Sequence, residues 1–115
     1  ELQMKVNPEM EDIPEIDLTL REQEVFFVLY TKSDPISCKE IGRQLGFTPE
    51  MVNKYIYNMI SKGVPVMRDD TEEDLVVHLD NGFRTLQAKR EVVDVDQGIR
   101  RQFARESEQF VRSEQ

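Results

Sequence analysis

The chain has few of the residues that build disulfides and metal clusters. Cys38 is the one cysteine and His78 the one histidine among 115 residues, which excludes an internal disulfide, a cysteine-rich zinc site and a histidine cluster. No apolar run reaches the roughly 18 residues that a membrane span needs, and no signal-peptide pattern opens the chain. We therefore expect a cytoplasmic protein that uses no metal or other cofactor and does not contact a membrane.

Recognisable catalytic motifs are also lacking. The sequence contains no glycine-rich phosphate loop, no nucleophile elbow and no metal-ligand spacing. Its 23 Asp and Glu residues are too many for a catalytic pair to be picked out among them. We expect a protein that acts by binding rather than an enzyme, with no catalytic residues.

Positive charge is scarce overall but is concentrated in one part of the chain. The net charge is −8, whereas most nucleic-acid-binding domains are basic. Residues 21–68, however, carry seven Lys and Arg against five Asp and Glu, and residues 69–96 carry three against nine. Local charge decides which surface can approach a polyanion. The middle of the chain is therefore the place to look for a nucleic-acid site.

Two capping boxes predict the starts of the first two helices. Thr19 with Glu22, and Ser37 with Glu40, have the spacing in which a hydroxyl and a carboxylate each satisfy a free amide at a helix N-terminus. Apolar residues follow the first box at helical spacing. Because Cys38 comes one position after the second cap, we expect the helix N-terminus to lower the pKa of its thiol.

A third helix is predicted after a short turn. Gly46 ends the second helix, Thr48 and Pro49 begin the third, and Gly63 ends it in a left-handed conformation. The side chains expected to face the core from this helix are Val52, Ile56, Met59 and Ile60, with Tyr55 beside them.

Short β-type segments follow the third helix. Residues 64–68 and 75–79 predict a hairpin whose acidic tip, residues 69–74, we interpret as a solvated turn rather than a metal site. Residues 80–82, Asp-Asn-Gly, predict a further turn because Asn-Gly readily takes positive φ. The pattern leaves open whether residues 83–95 form a strand or a helix.

Residues 36–60, which begin Ile-Ser-Cys-Lys-Glu-Ile-Gly, resemble a helix-turn-helix of the winged-helix class. The matching positions are Ile41, Leu45 and Gly46 in the second helix and turn, and Val52, Ile56 and Ile60 in the third helix. The continuation Ser-Lys-Gly-Val-Pro-Val at residues 61–66 is similar to bacterial and archaeal winged-helix regulators, in which the third helix ends in Gly and enters the first wing strand.

This resemblance covers about 60 of the 115 residues and implies an α+β, mainly α fold. The expected architecture is a winged helix-turn-helix, with three helices and a β-hairpin wing, followed by an additional C-terminal helix. We divide the chain into a flexible or extended N-terminal arm (1–17), the winged helix-turn-helix domain (18–88), and a linker with a C-terminal amphipathic helix (89–115). Two features depart from the family pattern: the first turn of the third helix holds Glu50 and Met51, and the wing tip is acidic.

The third helix is expected to present a polar face to solvent when its apolar residues face inward. Asn and Lys can contact bases in the major groove, and Tyr can contact phosphate. Cations of the second helix and of the base of the wing would position further phosphates. The candidate DNA-binding residues are Lys39, Arg43, Asn53, Lys54, Tyr57, Asn58, Ser61 and Arg68.

These residues predict a sequence-specific protein that binds double-stranded DNA, most simply a transcriptional regulator, associated with the nucleoid if the source is prokaryotic. The alternative is a winged-helix module for protein–protein interaction within a larger replication, segregation or transcription assembly. The acidic wing and the net charge favour that alternative, with a protein as the partner.

The last segment of the sequence predicts an amphipathic helix from Asp96 to about Arg112. Its apolar stripe consists of Ile99, Phe103, Phe110 and Val111. Because the other hydrophobic residues are used in the winged core, this stripe predicts a two-fold homodimer. The alternative is that it folds back onto the first helix of the same chain.

Overall fold

The computed structural model, which describes residues 15–71 and 74–103, combines helices with one small antiparallel sheet. In chain order the elements are α1 (Leu20–Thr31), β1 (Ile36–Ser37), α2 (Cys38–Leu45), α3 (Pro49–Ser61), β2 (Val66–Asp70), β3 (Leu75–Leu79) and α4 (Asn81–Arg90). Residues 97–103 are helical as well. The fold is α+β and mainly helical, as predicted, and is compatible with a winged-helix-like arrangement. None of the described helices has the length and apolar character needed to cross a membrane.

Side-chain caps begin the helices where the sequence predicts them. At α1 both bonds of the capping box form: the Glu22 amide donates to the Thr19 hydroxyl (3.3 Å), and the Thr19 amide donates to Glu22 Oε1 (3.0 Å). At α2 only half of the predicted box forms. Ser37 accepts from the Glu40 amide at 3.0 Å, while the Glu40 carboxylate accepts from Arg43 instead.

The sheet has the strand order β1-β3-β2, with all three strands antiparallel. Val66 pairs with Leu79 at the base of the β2–β3 hairpin, and all of β2 beyond Val66 is exposed. The first hairpin strand begins two residues later than predicted because the Val64 amide still closes the end of α3, donating to the Met59 carbonyl at 3.0 Å.

One core joins the helices to the sheet. Its largest fully buried side chains include Phe26 and Leu29 from α1, Ile41 from α2, Ile56 from α3 and Leu79 from β3. The prediction of burial is confirmed for Val52, Ile56 and Met59 of α3, whereas Ile60 is only partly buried.

The segment after α4 is part of the same core. Val92, Val93 and Val95 are buried, and the buried amide of Gln87 makes two hydrogen bonds to the backbone of Val93, at 2.7 and 2.9 Å. Ile16 pairs with Val93 in a parallel bridge. The predicted boundary after residue 88 therefore falls inside α4, and the valines assigned to a linker are packed in the domain.

The turn predicted at residues 80–82 is wrong. Asp80 caps α4 by accepting from the Phe83 amide at 3.0 Å, and Asn81 and Gly82 are the first helical residues. An aspartate N-cap satisfies an amide that an Asn-Gly turn would leave free. The capped helix is therefore favoured over the turn. The segment 83–95, left open by its pattern, is helical to Arg90 and turns at Glu91, whose φ is 54°.

Candidate nucleic-acid interface

A tight turn of three residues joins α2 to α3. The amides of Gly46 and Phe47 both donate to the Gly42 carbonyl, at 2.7 and 2.9 Å, and Gly46 has the predicted left-handed conformation with φ 80°. The turn packs directly on Gly42: a Cβ atom there would lie 2.3 Å from the Phe47 carbonyl oxygen. The absence of a side chain at Gly42 therefore allows this turn, which sets the direction of α3.

The solvent-facing side of α3 is a single polar stripe. It consists of four exposed side chains: Glu50, Lys54, Tyr57 and Ser61. Their spacing of four, three and four residues aligns them along one side of a helix over roughly 17 Å. The buried residues of α3 lie on the opposite side. We call these four residues the α3 stripe.

Two predicted DNA-binding residues of α3 lie outside this stripe. At about 100° per residue, Asn53 and Asn58 are each displaced by roughly 70° from its centre, on opposite sides. Both are only partly exposed; Asn53 Oδ1 is buried and has no hydrogen-bond partner among the described residues. The Asn58 side chain faces Glu22 of α1 and helps to lower the pKa of its carboxyl. The helical spacing alone could not show that neighbouring elements cover these edges of α3.

An exposed aromatic–cation pair connects α3 to the hairpin. The Arg68 guanidinium carbon lies 5.1 Å from the centre of the Tyr57 ring, and Tyr57 is 61% exposed. A cation over an exposed tyrosine ring is stabilised by about 0.5–1 kcal/mol. The pair holds a positive charge from β2 beside the α3 stripe.

The other predicted cations differ in whether they form ion pairs. Lys39, Arg43 and Lys54 are all exposed. Arg43 lies 2.8 Å from Glu40, while none of the ion pairs among the described residues includes Lys39 or Lys54. The predicted cations of α2, α3 and β2 are therefore all accessible to solvent.

Lys62, directly after the last residue of α3, is exposed but forms an ion pair with a buried carboxylate. Its Nζ lies 2.7 Å from Glu22 Oε1, and the Glu22 side chain is 4% exposed. Burial alone would raise the pKa of Glu22, but hydrogen bonds from Lys62 and Thr19, the charge of Lys62 and the neighbouring Asn58 amide outweigh it and lower the pKa below 4.5. The pair anchors the end of α3 to the start of α1, a contact between distant residues that no sequence pattern signals.

We expect the Glu22 carboxylate to make the stability of the protein depend on pH. Because its folded-state pKa is lowered, its stabilisation is fully present above pH 4.5 and is lost as the pH falls through the folded-state value. Glu22→Gln should lower the free energy of unfolding by about 1–2 kcal/mol at pH 7 and by progressively less as the pH falls below 4.5. Urea unfolding at several pH values measures this. Glu24→Gln on the same helix is the control, and equal pH profiles for the two variants would contradict the assignment.

The predicted lowering of the Cys38 pKa is wrong. The thiol is buried, and burial together with Asp74 raises its pKa to about 11, with Arg68 opposing the shift. Burial disfavours the charged thiolate and raises the pKa by more than the N-terminus of a short helix lowers it. Cys38 is a core residue.

Two of the four predicted dimer residues pack on their own chain. Ile99 is buried, and the Phe103 ring meets Phe27 of α1 edge to face with centroids 4.9 Å apart. This is the arrangement that the alternative interpretation expected. Phe110 and Val111 lie outside the described residues, and the homodimer remains a prediction.

Comparison with protein-family models, curated proteins and solved structures finds no match to this chain. Within residues 15–71 and 74–103, no three His, Cys, Asp or Glu side chains are grouped closely enough to hold a metal ion. The geometry of α2, α3 and the hairpin is therefore the basis for the function of this chain.

Proposed function

We propose that this chain is a winged helix-turn-helix protein that binds double-stranded DNA by inserting α3 into the major groove. The observation that carries the proposal is the α3 stripe, which extends along the exposed side of a helix held by a three-residue turn. Helix-turn-helix proteins place the second helix of such a pair in the groove. In this proposal the protein acts by occupying a DNA site, as a transcriptional regulator does, without a chemical step.

Each part of the surface has a distinct role in the proposed complex. Lys54, near the middle of the α3 stripe, reaches base edges, where a lysine prefers the acceptors of guanine. Lys39 and Arg43 on α2 contact phosphates, and Arg68 contacts a further phosphate from its place over the Tyr57 ring. Asn53 has no base contact in this arrangement because its oxygen is buried.

The alternative function is protein–protein interaction within a larger assembly. It is favoured by the exposed acids Asp69 and Asp70, which follow Arg68 directly along β2. Their negative charges repel phosphate and suit a basic protein surface. DNA binding is preferred because Arg68 lies over the Tyr57 ring of the α3 stripe, while the acids lie further along the hairpin.

We expect Lys54→Ala to weaken binding to a selected DNA site by about 1–3 kcal/mol. Lys89→Ala, which removes an exposed cation from α4, should leave the affinity unchanged. With Lys39, Arg43 and Arg68 as the phosphate contacts, the logarithm of the affinity should fall with the logarithm of the salt concentration with a slope of about −3 per chain. Fluorescence anisotropy on a labelled duplex measures both quantities.

Two results would refute the proposal. Absence of binding to any duplex at about 50 mM salt, where phosphate contacts are strongest, would remove DNA as the partner. Equal affinities of Lys54→Ala and the wild-type chain would show that α3 does not face the groove.

A further inference from the structure

We propose that Glu50 determines sequence specificity by accepting a hydrogen bond from the amino group of a cytosine. This inference rests on the proposed DNA binding by α3, and it identifies the base that the first turn of the helix selects. Glu50 is the first member of the α3 stripe and is exposed, with Lys54 one turn further along the same side.

The position of Glu50 directs it to bases rather than to phosphates. Recognition helices contact base edges mainly with the residues of their N-terminal turns. Glu50 is the second residue of α3, and the first turn is held in place by Thr48, whose hydroxyl accepts from the Met51 amide at 3.1 Å. Its carboxylate takes part in none of the ion pairs found among the described residues. It is therefore available to a partner.

The charge of Glu50 restricts which base it can face. In the major groove, guanine and thymine present acceptor oxygens and nitrogens, which repel a carboxylate. Adenine offers an amino group beside an acceptor nitrogen, whereas the cytosine edge offers its amino group alone. A carboxylate on the groove face also weakens non-specific binding, because the negative charge of the DNA repels it and no cytosine amino group compensates. Glu50 thus lowers the affinity for most DNA sequences and favours those that have a cytosine at the position it contacts. The first turn of α3 is therefore suited to a cytosine, and Lys54, one turn further along the same side, to a guanine further along the site.

The test is selection of bound sequences from a randomised duplex pool by the full chain and by Glu50→Gln. We expect the wild-type chain to enrich cytosine at one position. Glu50→Gln should replace it by adenine, the base that glutamine bonds with two hydrogen bonds, while non-specific affinity at low salt rises about threefold. Asp94→Asn, which removes one exposed negative charge after α4, is the matched control and should keep the cytosine.

The outcomes separate this inference from the proposed function. Identical base preferences of Glu50→Gln and the wild-type chain, with thermal unfolding confirming that both are folded, would overturn the role of Glu50 and leave DNA binding intact. A stabilising role of Glu50 at the helix N-terminus would lower the melting temperature without moving the base preference, and that result also overturns the inference. A wild-type chain that enriches no duplex overturns the proposed function, and this inference with it.

Discussion

Replacing Gly42 with alanine is expected to lower the free energy of unfolding by about 3 kcal/mol, at the upper end for overpacking a closely packed position. A Cβ atom at this position would lie 2.3 Å from the Phe47 carbonyl oxygen and 3.3 Å from the Phe47 carbonyl carbon. Both are backbone atoms of the turn, so they cannot move aside as a flexible side chain would. The turn between α2 and α3 must open, and α3 must shift with it. Urea denaturation followed by circular dichroism measures the loss.

Gly82→Ala is the matched control for this experiment. Gly82 lies in the first turn of α4, and its Cβ would lie 3.1 Å from Asp80 Oδ2, the side-chain oxygen that caps this helix. A side-chain oxygen can shift slightly, and alanine favours a helix over glycine by up to about 1 kcal/mol, so the control should change the free energy of unfolding by less than about 1 kcal/mol. A loss at Gly42→Ala below about 1 kcal/mol would contradict the close contact between α2 and the turn.

Replacing Arg84 with alanine is the second change with a large expected effect, about 2–3 kcal/mol of unfolding free energy. The Arg84 guanidinium on α4 donates to three carbonyl oxygens at the end of α1: those of Leu29 (3.2 Å), Tyr30 (3.3 Å) and Lys32 (2.8 Å). The last turn of α1 contains no basic residue of its own. Arg84 therefore supplies both the hydrogen bonds and the positive charge that a helix C-terminus favours.

A comparison of Arg84→Ala with Arg84→Lys and Arg90→Ala tests whether the planar guanidinium is required. Arg84→Lys should recover only part of the lost stability, because one ammonium group cannot reproduce the planar set of donors. Arg90→Ala, at the exposed end of α4, should change stability by less than about 0.5 kcal/mol. Thermal unfolding of the three variants is the measurement. Equal effects of Arg84→Ala and Arg90→Ala would show that Arg84 does not cap α1.

The sequence predicted best those local structures, helix caps and helix ends, that depend on residues close together in the chain. Thr19, Ser37 and Thr48 each cap the helix that was predicted to follow them, and Gly46 and Gly63 have the positive φ values expected of helix ends. Caps and left-handed glycines act within four residues, so their signals are complete in the local sequence. Asp80 shows the limit, because its cap and the Asn-Gly turn compete for the same residues.

The candidate site was predictable only in part for a related reason. Helical spacing placed Lys54, Tyr57 and Ser61 on the exposed side of α3, and all three are exposed. It placed Asn53 and Asn58 there too, and both are partly covered. A helical projection shows which side chains share a face, but the width of the exposed face depends on how closely the neighbouring elements approach.

By itself, the sequence determined the order and ends of the first three helices, the presence of a hairpin and the polar character of the exposed side of α3, because these follow from local capping and periodicity. Only the tertiary structure decided that Glu22 is paired with Lys62, that burial raises the pKa of Cys38, and that Val92, Val93, Val95 and Ile99 belong to the core. These properties depend on desolvation and on contacts between residues far apart in the chain. Desolvation and long-range contact have no fixed spacing in a sequence, since both arise when separate elements pack together.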